Sequence, residues 1–334
     1  VKEIKIMYRK KVGVVCGGYS SEYEISLQSG KNVFSMLDRE KWEVFYIVLT
    51  KESWTAKDDS SNVYNVSKGD FSLNRSDISI KIDLIFNLIH GSLGENGQLS
   101  ALWELLEIPF SSCSSYNAAL TLNKRDCLSV LRELNIPTAK HYTLDKGDDL
   151  DPKIIIDCVG LPCFVKANRS GSSFGVYKVY KKDDLIDSIE KAFEEDTQLI
   201  IESYLEGREV SVGVVKIDNE VFVLPVTEII SENDFFDFSA KYEGKSNEIT
   251  PAKISNRWMN DLNQISKKIY SKLGLKGIIR SEFIFVNETP HILEINSVPG
   301  MTKKSIIPQQ VNALGMDFSE FLNKILIQTE RSKN

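Results

Sequence analysis

Short apolar runs recur along this chain. Each is closed by a turn and, in the first third, followed by a segment with helical spacing. Lys11 to Cys16 (KVGVVC) reads as a buried strand. Gly17-Gly18-Tyr19-Ser20 is a tight turn. A helix then follows, with Ser21 and Glu24 spaced as a capping box and Ile25, Val33, Phe34 and Leu37 as candidate core positions. WEVFYIVL (42–49) predicts a second strand and IDLIFNLIH (82–90) a third. A turn from Gly91 to Gly97 leads into the helix QLSALWELLEI (98–108). Strands alternating with helices predict a parallel, Rossmann-like sheet. Residues 51–80 are polar and poor in core residues, which predicts an elaborated loop or a small hairpin.

The pattern changes after about residue 112. A helix carrying Lys124 opens a second part. Two strands, LPCFVKA and GVYKVY, flank the loop Asn168-Arg169-Ser170-Gly171-Ser172-Ser173-Phe174-Gly175, and a charged helix (183–195) and the strand QLIIESYL follow. This composes an α+β module. A third part holds the strands EVSVGVVKI, EVFVLPVTEI, GIIRSEFIFV and PHILEINSV, with helices at 255–273 and near 317–328. Between them lies a long polar segment, 231–252, that carries four aromatic residues. A length of 334 residues suits two or three domains, and the expected division is 1–112, 113–203 and 204–334.

Composition narrows the function class. A net charge of -6 lacks the basic footprint of a nucleic-acid binder. No apolar run approaches membrane-span length, and the leading VKEIKIMYRKK lacks the apolar core of a signal peptide. Five cysteines form no CxxC pair and mostly sit among apolar residues, as reduced core thiols do. Three histidines and no HExxH speak against zinc. A reducing, cytoplasmic setting is expected, with neither nucleic acid nor membrane as partner.

Four stretches carry candidate chemistry. The turn at Gly17 to Glu22 puts a helix start, with its free N–H groups, beside the Glu22 carboxylate. Together these suit a zwitterion, that is, an amino acid, although a purely structural βα turn has the same local sequence. The phosphate-loop pattern GxxxxGK[ST] is not met, because Ser239 stands where its first glycine is required. The loop Ser170 to Gly175 is the better phosphate candidate. Its small residues let backbone N–H groups approach phosphate oxygens, and Lys166 ends the preceding strand. Glu294 and Asn296 are two apart on one strand, as are Arg280 and Glu282 on its neighbour, so each pair shares a face. Two carboxylates and an amide oxygen suit Mg²⁺ with phosphate ligands, and the arginine suits a phosphoryl group or oxyanion; salt-bridged charges on paired surface strands are the plainer alternative. His90 lies at a strand's C-terminal end, where α/β folds bind ligands.

Taken together these stretches resemble the D-alanine–D-alanine ligase family of the ATP-grasp superfamily. The resemblance runs through GGYSSEYEISLQSG, HGSLGENG, NKRDC, FVKANRSGSSFGV, IIESYLEGREV, FFDFSAKYEG, GIIRSEF and EINSVPGMTKKSIIPQ. It implies an ATP-grasp fold and ligation of two D-alanines for peptidoglycan precursors, with ATP and two Mg²⁺ ions (or Mn²⁺) and a homodimer. It implies that Glu22 holds the first D-alanine's ammonium, with His90 also at substrate. Lys124 and Lys166 would contact ATP phosphates. Ser172 and Ser173 lie in the loop over them, with Ser172 tied to Glu22 and Tyr242. Glu202, Tyr204, Leu205 and Glu209 would hold adenine and ribose, and Lys241 and Tyr242 would belong to a closing loop. Arg280 would stabilise the acyl phosphate and tetrahedral intermediate, Glu282, Glu294 and Asn296 would bind the metals, and Gly300 and Ser305 would hold substrate. The chain departs from the family pattern in having Glu282 for Asp, Ala167 for Pro and Asn96 for Asp, and Ser170 where several relatives have Gly or Glu. A tyrosine at 242, where D-lactate-using relatives carry Phe, implies the dipeptide product.

Overall fold

The computed structural model describes residues 9–171, 173–231 and 246–332. Its first sheet has seven strands: β1 (Lys10–Gly17), β2 (Trp42–Leu49), β3 (Trp54–Lys57), β4 (Val63–Val66), β5 (Leu73–Arg75), β6 (Ile78–Ile80) and β7 (Leu84–Asn87). Their order is β6-β5-β4-β3-β2-β1-β7. Only β2-β1-β7 is parallel; β3 to β6 extend it antiparallel. The expected parallel sheet is therefore its inner half, and residues 51–80 form strands rather than a loop or a lone hairpin. Their apolar residues are few but well placed: Ala56, Tyr64, Val66, Phe71 and Leu73 are buried in one core with Trp103.

Helix α1 (Tyr23–Met36) crosses from β1 to β2. Its buried positions are mainly small or polar: Ser26, Ser29, Gly30, Asn32 and Val33. A side chain at Gly30 would come within 2.6 Å of the Cys16 sulfur, so the helix lies directly on β1. Val33 and Leu37 are core residues as expected, while Phe34 and Ile25 are only partly buried. The predicted capping box does not form, because Glu22 is the N-cap residue and makes no side-chain cap. The Ser20 hydroxyl instead donates to the His90 carbonyl at 2.9 Å, and the Ser26 hydroxyl donates to Leu88 O and accepts from Gly17 N–H. These bonds tie the β1 turn to the end of β7.

Helix α2 (Gln98–Leu105) leads to two short helices, α3 (Ser115–Leu122) and α4 (Lys124–Glu133). The side chain of Asn123 caps α4 and so starts it at Lys124. The second sheet is antiparallel, with order β10-β9-β11-β8. It comprises β8 (His141–Asp145), β9 (Cys163–Ala167), β10 (Val176–Val179) and β11 (Gln198–Ser203). Helices α5 (Pro152–Val159) and α6 (Leu185–Ala192) share its core through Ile155, Val159, Leu185 and Ile189.

The third sheet comprises β12 (Arg208–Ile217), β13 (Glu220–Val223), β14 (Thr227–Ser231), β15 (Ser246–Ile249), β16 (Ile278–Val286) and β17 (Thr289–Asn296). Its order is β15-β14-β12-β16-β17, with β13 also on β12. Helix α7 (Asn256–Lys272) packs its Leu262 and Ile269 against Phe283, Phe285, Ile292 and Ile295 of this sheet. Two more helices, α8 (Ile306–Ala313) and α9 (Phe318–Arg331), follow. Phe321, Leu322 and Ile325 of α9 share one core with Val12, Val14 and Phe86 of the first sheet and Val215 of the third.

Four cysteines are buried and Cys158 is exposed; none forms a disulfide. Burial pushes the Cys113 thiol up to about 11, which keeps it protonated at neutral pH.

Candidate active site

Strand register builds the catalytic face. Arg280 pairs with Asn296 and Glu282 with Glu294 across β16 and β17. A bulge after Glu282 shifts the register, so Phe283 faces Ile292. Phe283, Ile292 and Ile295 pack into the core under α7, while Glu282 and Glu294 line a cavity on the other face. That cavity holds about 400 Å³ between the second and third sheets. Lys124, Lys166, Ser170, Gly171 and Ser173 line one region of it; Phe164, Glu202, Tyr204, Leu205 and Glu209 line another. Nine of these residues, all but Phe164, were named from sequence, and they come from three separate stretches that the fold brings to one cavity.

The cavity's cations already have carboxylate partners. Lys166 Nζ donates to Glu202 Oε2 at 2.6 Å, Lys124 Nζ lies 3.5 Å from Glu294 Oε2, and Arg280 Nε donates to Glu282 Oε1 at 2.6 Å. Burial pulls the Lys166 ammonium down, but Glu202, Glu294 and Glu209 more than offset this and raise it, so it stays charged. An anion entering here would exchange partners with these carboxylates rather than meet free cations. Lys124 Nζ also donates to the Ser170 carbonyl at 2.6 Å, which fixes the start of the small-residue loop.

Glu22 lies at a junction of the first and second parts. A Cβ at Gly91 would come within 3.1 Å of Glu22 Oε2, and one at Gly171 within 2.9 Å. Side chains at either glycine would crowd the carboxylate. His90 is 5% exposed, and its Nδ1 lies 2.7 Å from the Val298 carbonyl. A carbonyl only accepts, so Nδ1 carries the hydrogen. Burial lowers the imidazole's proton affinity, and the nearby Glu22 carboxylate only partly opposes this. The neutral ring therefore keeps a bare Nε2, which has no hydrogen-bond partner among the described residues. An anionic carboxylate and a bare imidazole nitrogen together suit an ammonium group.

Gly300 and Ser305 close the other side. The Ser305 hydroxyl accepts from Thr302 N–H at 3.1 Å and lies 2.8 Å from Thr302 Oγ1, and a Cβ at Gly300 would come within 2.9 Å of it. Helix α1 holds the adjoining residue: Asn32 Nδ2 donates to the Met301 carbonyl at 2.7 Å and Met301 N–H to Ser29 Oγ at 3.1 Å. Ser172, Lys241 and Tyr242 lie outside the described residues.

Glu282 Oε2 and Asn296 Nδ2 are buried without a hydrogen-bond partner among the described residues. The unmet Glu282 Oε2, beside the Glu294 carboxylate on the adjacent strand, fits a divalent cation, towards which Asn296 would have to turn its Oδ1, since an amide N–H cannot ligate a metal. No group of three or more His, Cys, Asp or Glu converges into a metal cluster among the described residues. The set is two carboxylates and an amide, which leaves coordination positions for phosphate oxygens.

Two residues that carry the site were not singled out from sequence. Asn168, fully buried, accepts from Arg125 N–H at 2.8 Å and donates to Asn123 Oδ1 at 2.9 Å, joining the phosphate-side loop to α4. Glu95, 8% exposed, accepts from Gly91 N–H at 2.7 Å and Val298 N–H at 3.2 Å, joining the first part to the loop after β17. Its place in the GSLGENG turn was the available signal. Burial, then the Glu22 charge, pushes the Glu95 carboxyl up to about 7 despite those two N–H donors. Its folded-state pKa thus lies above the unfolded one, so its favourable contribution is complete below pH about 4.5 and is lost as pH rises towards 7. Thermal stability of the wild type should fall across that window, and Glu95→Gln should flatten the slope; an unchanged slope would refute the assignment.

The three-sheet fold, with a lysine-lined cavity closed by a carboxylate–amide strand pair, defines an ATP-grasp, ATP-dependent ligase. Comparison with known proteins narrows this. Residues 11–113 match the family description D-ala D-ala ligase N-terminus, and residues 130–327 match D-ala D-ala ligase C-terminus. A D-alanine–D-alanine ligase of Flavobacterium johnsoniae is 48% identical over 95% of this chain and 98% of its own length. D-alanyl-alanine synthetase A of Vibrio cholerae superposes with a TM-score of 0.87 at 27% identity, covering 98% of this chain and 100% of its own. The Bacillus anthracis D-alanine–D-alanine ligase complexed with ATP gives 0.79 at 27% identity, over 98% of this chain and 99% of its own. The chain belongs to the D-alanine–D-alanine ligase family.

Proposed function

We propose that this protein joins two D-alanines into D-alanyl-D-alanine at the expense of ATP, supplying a peptidoglycan precursor. The observation that carries it is the candidate ammonium site, where the Glu22 carboxylate lies beside Gly91 and Gly171 and its charge reaches the buried His90 ring. A D-amino acid bound there would place its carboxylate towards Arg280 and the phosphate end of the cavity. A carboxylate is a poor electrophile, and phosphoryl transfer from ATP makes it an acyl phosphate with a good leaving group. The amine of a second D-alanine, in its neutral form, then attacks. The chain's own contribution is to orient both substrates, neutralise charge and exclude water.

In this reading Lys124, Lys166 and Ser173 take the phosphates, while Glu202, Tyr204, Leu205 and Glu209 take adenine and ribose. Arg280 meets the developing oxyanion, and Gly300 and Ser305 hold substrate. Glu282, Glu294 and Asn296 would hold two Mg²⁺ ions, which supply charge neutralisation at the phosphoryl oxygens. Ser172, Lys241 and Tyr242 keep the roles the resemblance implies. We further propose the division 1–112, 113–203 and 204–334, a homodimer, and a cytoplasmic location; no helix among the described residues is long and apolar enough to cross a membrane.

The test is phosphate release and product chromatography with ATP and Mg²⁺. D-Alanine should support release with dipeptide as product, and L-alanine should not. Equal release with L-alanine, or depsipeptide as main product at neutral pH when D-lactate is also present, would overturn the substrate assignment.

A further inference from the structure

Lys178 lies outside the cavity described above and has no role in the reaction so far. It sits on β10, the edge strand of the second sheet, directly across from Phe164 on β9. Its ammonium nitrogen is 4.1 Å from the centre of the Tyr204 ring, 5.0 Å from Tyr180 and 5.8 Å from Phe164. Three aromatic rings thus surround one cation within the range where the attraction of a ring's face for charge is felt. Two of the rings, Phe164 and Tyr204, line the cavity, and they lie 6.2 Å apart at an angle of 42°.

Tyr204 follows the last residue of β11 and is 37% exposed. Its backbone N–H bonds to the Pro162 carbonyl at 3.1 Å, which fixes the chain but not the ring. Phe164 also has the Lys166 ammonium 5.4 Å from its centre. A ring placed among cations keeps one preferred orientation, and a preset wall lowers the ordering cost of stacking a flat ligand on it.

We propose that Lys178 is a positioning residue for the nucleotide: from outside the cavity it clamps Tyr204 and Phe164 into the wall on which the ATP base stacks. This rests on the placing of the base at the Phe164–Tyr204 end. The clamp sets nucleotide affinity and leaves the chemical step untouched, since Lys178 is not among the residues that line the cavity with Glu282 and Glu294.

Lys178→Met keeps the aliphatic stem and removes the charge. It should raise the KM for ATP about 2- to 5-fold, the change that corresponds to roughly 0.5–1 kcal/mol for an exposed cation–ring contact, with kcat unchanged. Lys178→Arg should restore the wild-type KM. Tyr204→Leu should itself raise the KM, and in that background Lys178→Met should have a reduced effect, as coupled residues require. If Tyr204→Leu leaves the KM unchanged, the base has been misplaced and the inference falls with it. If Tyr204→Leu raises the KM but Lys178→Met does not, or Lys178→Met acts equally in both backgrounds, the base placement stands and the clamp is refuted.

Discussion

Glu294→Ala is expected to reduce ligation by at least about a thousandfold, a loss of roughly 4 kcal/mol in transition-state stabilisation. The carboxylate stands at the end of β17 opposite Glu282, with Lys124 Nζ 3.5 Å away. Removing it takes one of two carboxylates from the proposed metal site. It also leaves Lys124 without the charge that balances it before phosphate arrives. The side chain is 26% exposed, so little buried volume is lost and the fold should survive. Unchanged far-UV circular dichroism alongside lost phosphate release is the expected pair of results. Glu282→Ala should behave alike in activity but cost more stability, because it strips Arg280 and Ser211 of a shared acceptor in a buried setting. Glu282→Asp should retain activity, since it restores the residue usual in the family pattern. Ligation near the wild-type rate in Glu294→Ala would refute the metal assignment.

The parts of the fold legible in sequence were those with an unambiguous period. The strands β1 and β2 are largely apolar runs and β16 and β17 interrupt theirs with charged residues, of which Glu282 and Glu294 line the cavity and Arg280 bonds to Glu282 opposite Asn296. Helix α1 was legible as a helix but not in its buried face, because contact with β1 selects Ser26, Ser29 and Gly30, which hydrophobic periodicity overlooks. The antiparallel extension β3–β6 was missed for a related reason: strands of three or four residues carry too few side chains to show alternation. The shared core around α9 is a long-range fact that no local pattern encodes. Glu95 and Asn168 belong to this class as well. Each is a polar residue in a turn, and only the fold shows that Val298 for Glu95 and Arg125 for Asn168 come from distant segments.

Arg280→Ala is expected to slow turnover by about a hundred- to a thousandfold, the usual cost of deleting one preorganised donor from a developing oxyanion. Arg280 is held on β16 between its cross-strand partner Asn296 and the Glu282 carboxylate, with its side chain 16% exposed. Its Nε donates to Glu282 Oε1, which fixes the plane of the guanidinium before substrate arrives. A charge held in place needs no reorganisation as the acyl phosphate forms and the tetrahedral centre collapses. Apparent ATP affinity should change much less, because Lys124 and Lys166 remain at the phosphate end of the cavity. Arg280→Lys separates charge from geometry. An ammonium restores the positive charge but cannot donate to Glu282 and to an oxyanion from one rigid plane, so it should recover only part of the rate. If Arg280→Ala instead raises the KM for ATP with kcat preserved, the residue binds nucleotide rather than the reacting carbonyl. If lysine restores full activity, the effect is one of net charge alone. Either outcome would refute the oxyanion role, whereas a kcat loss that lysine repairs only in part would establish it.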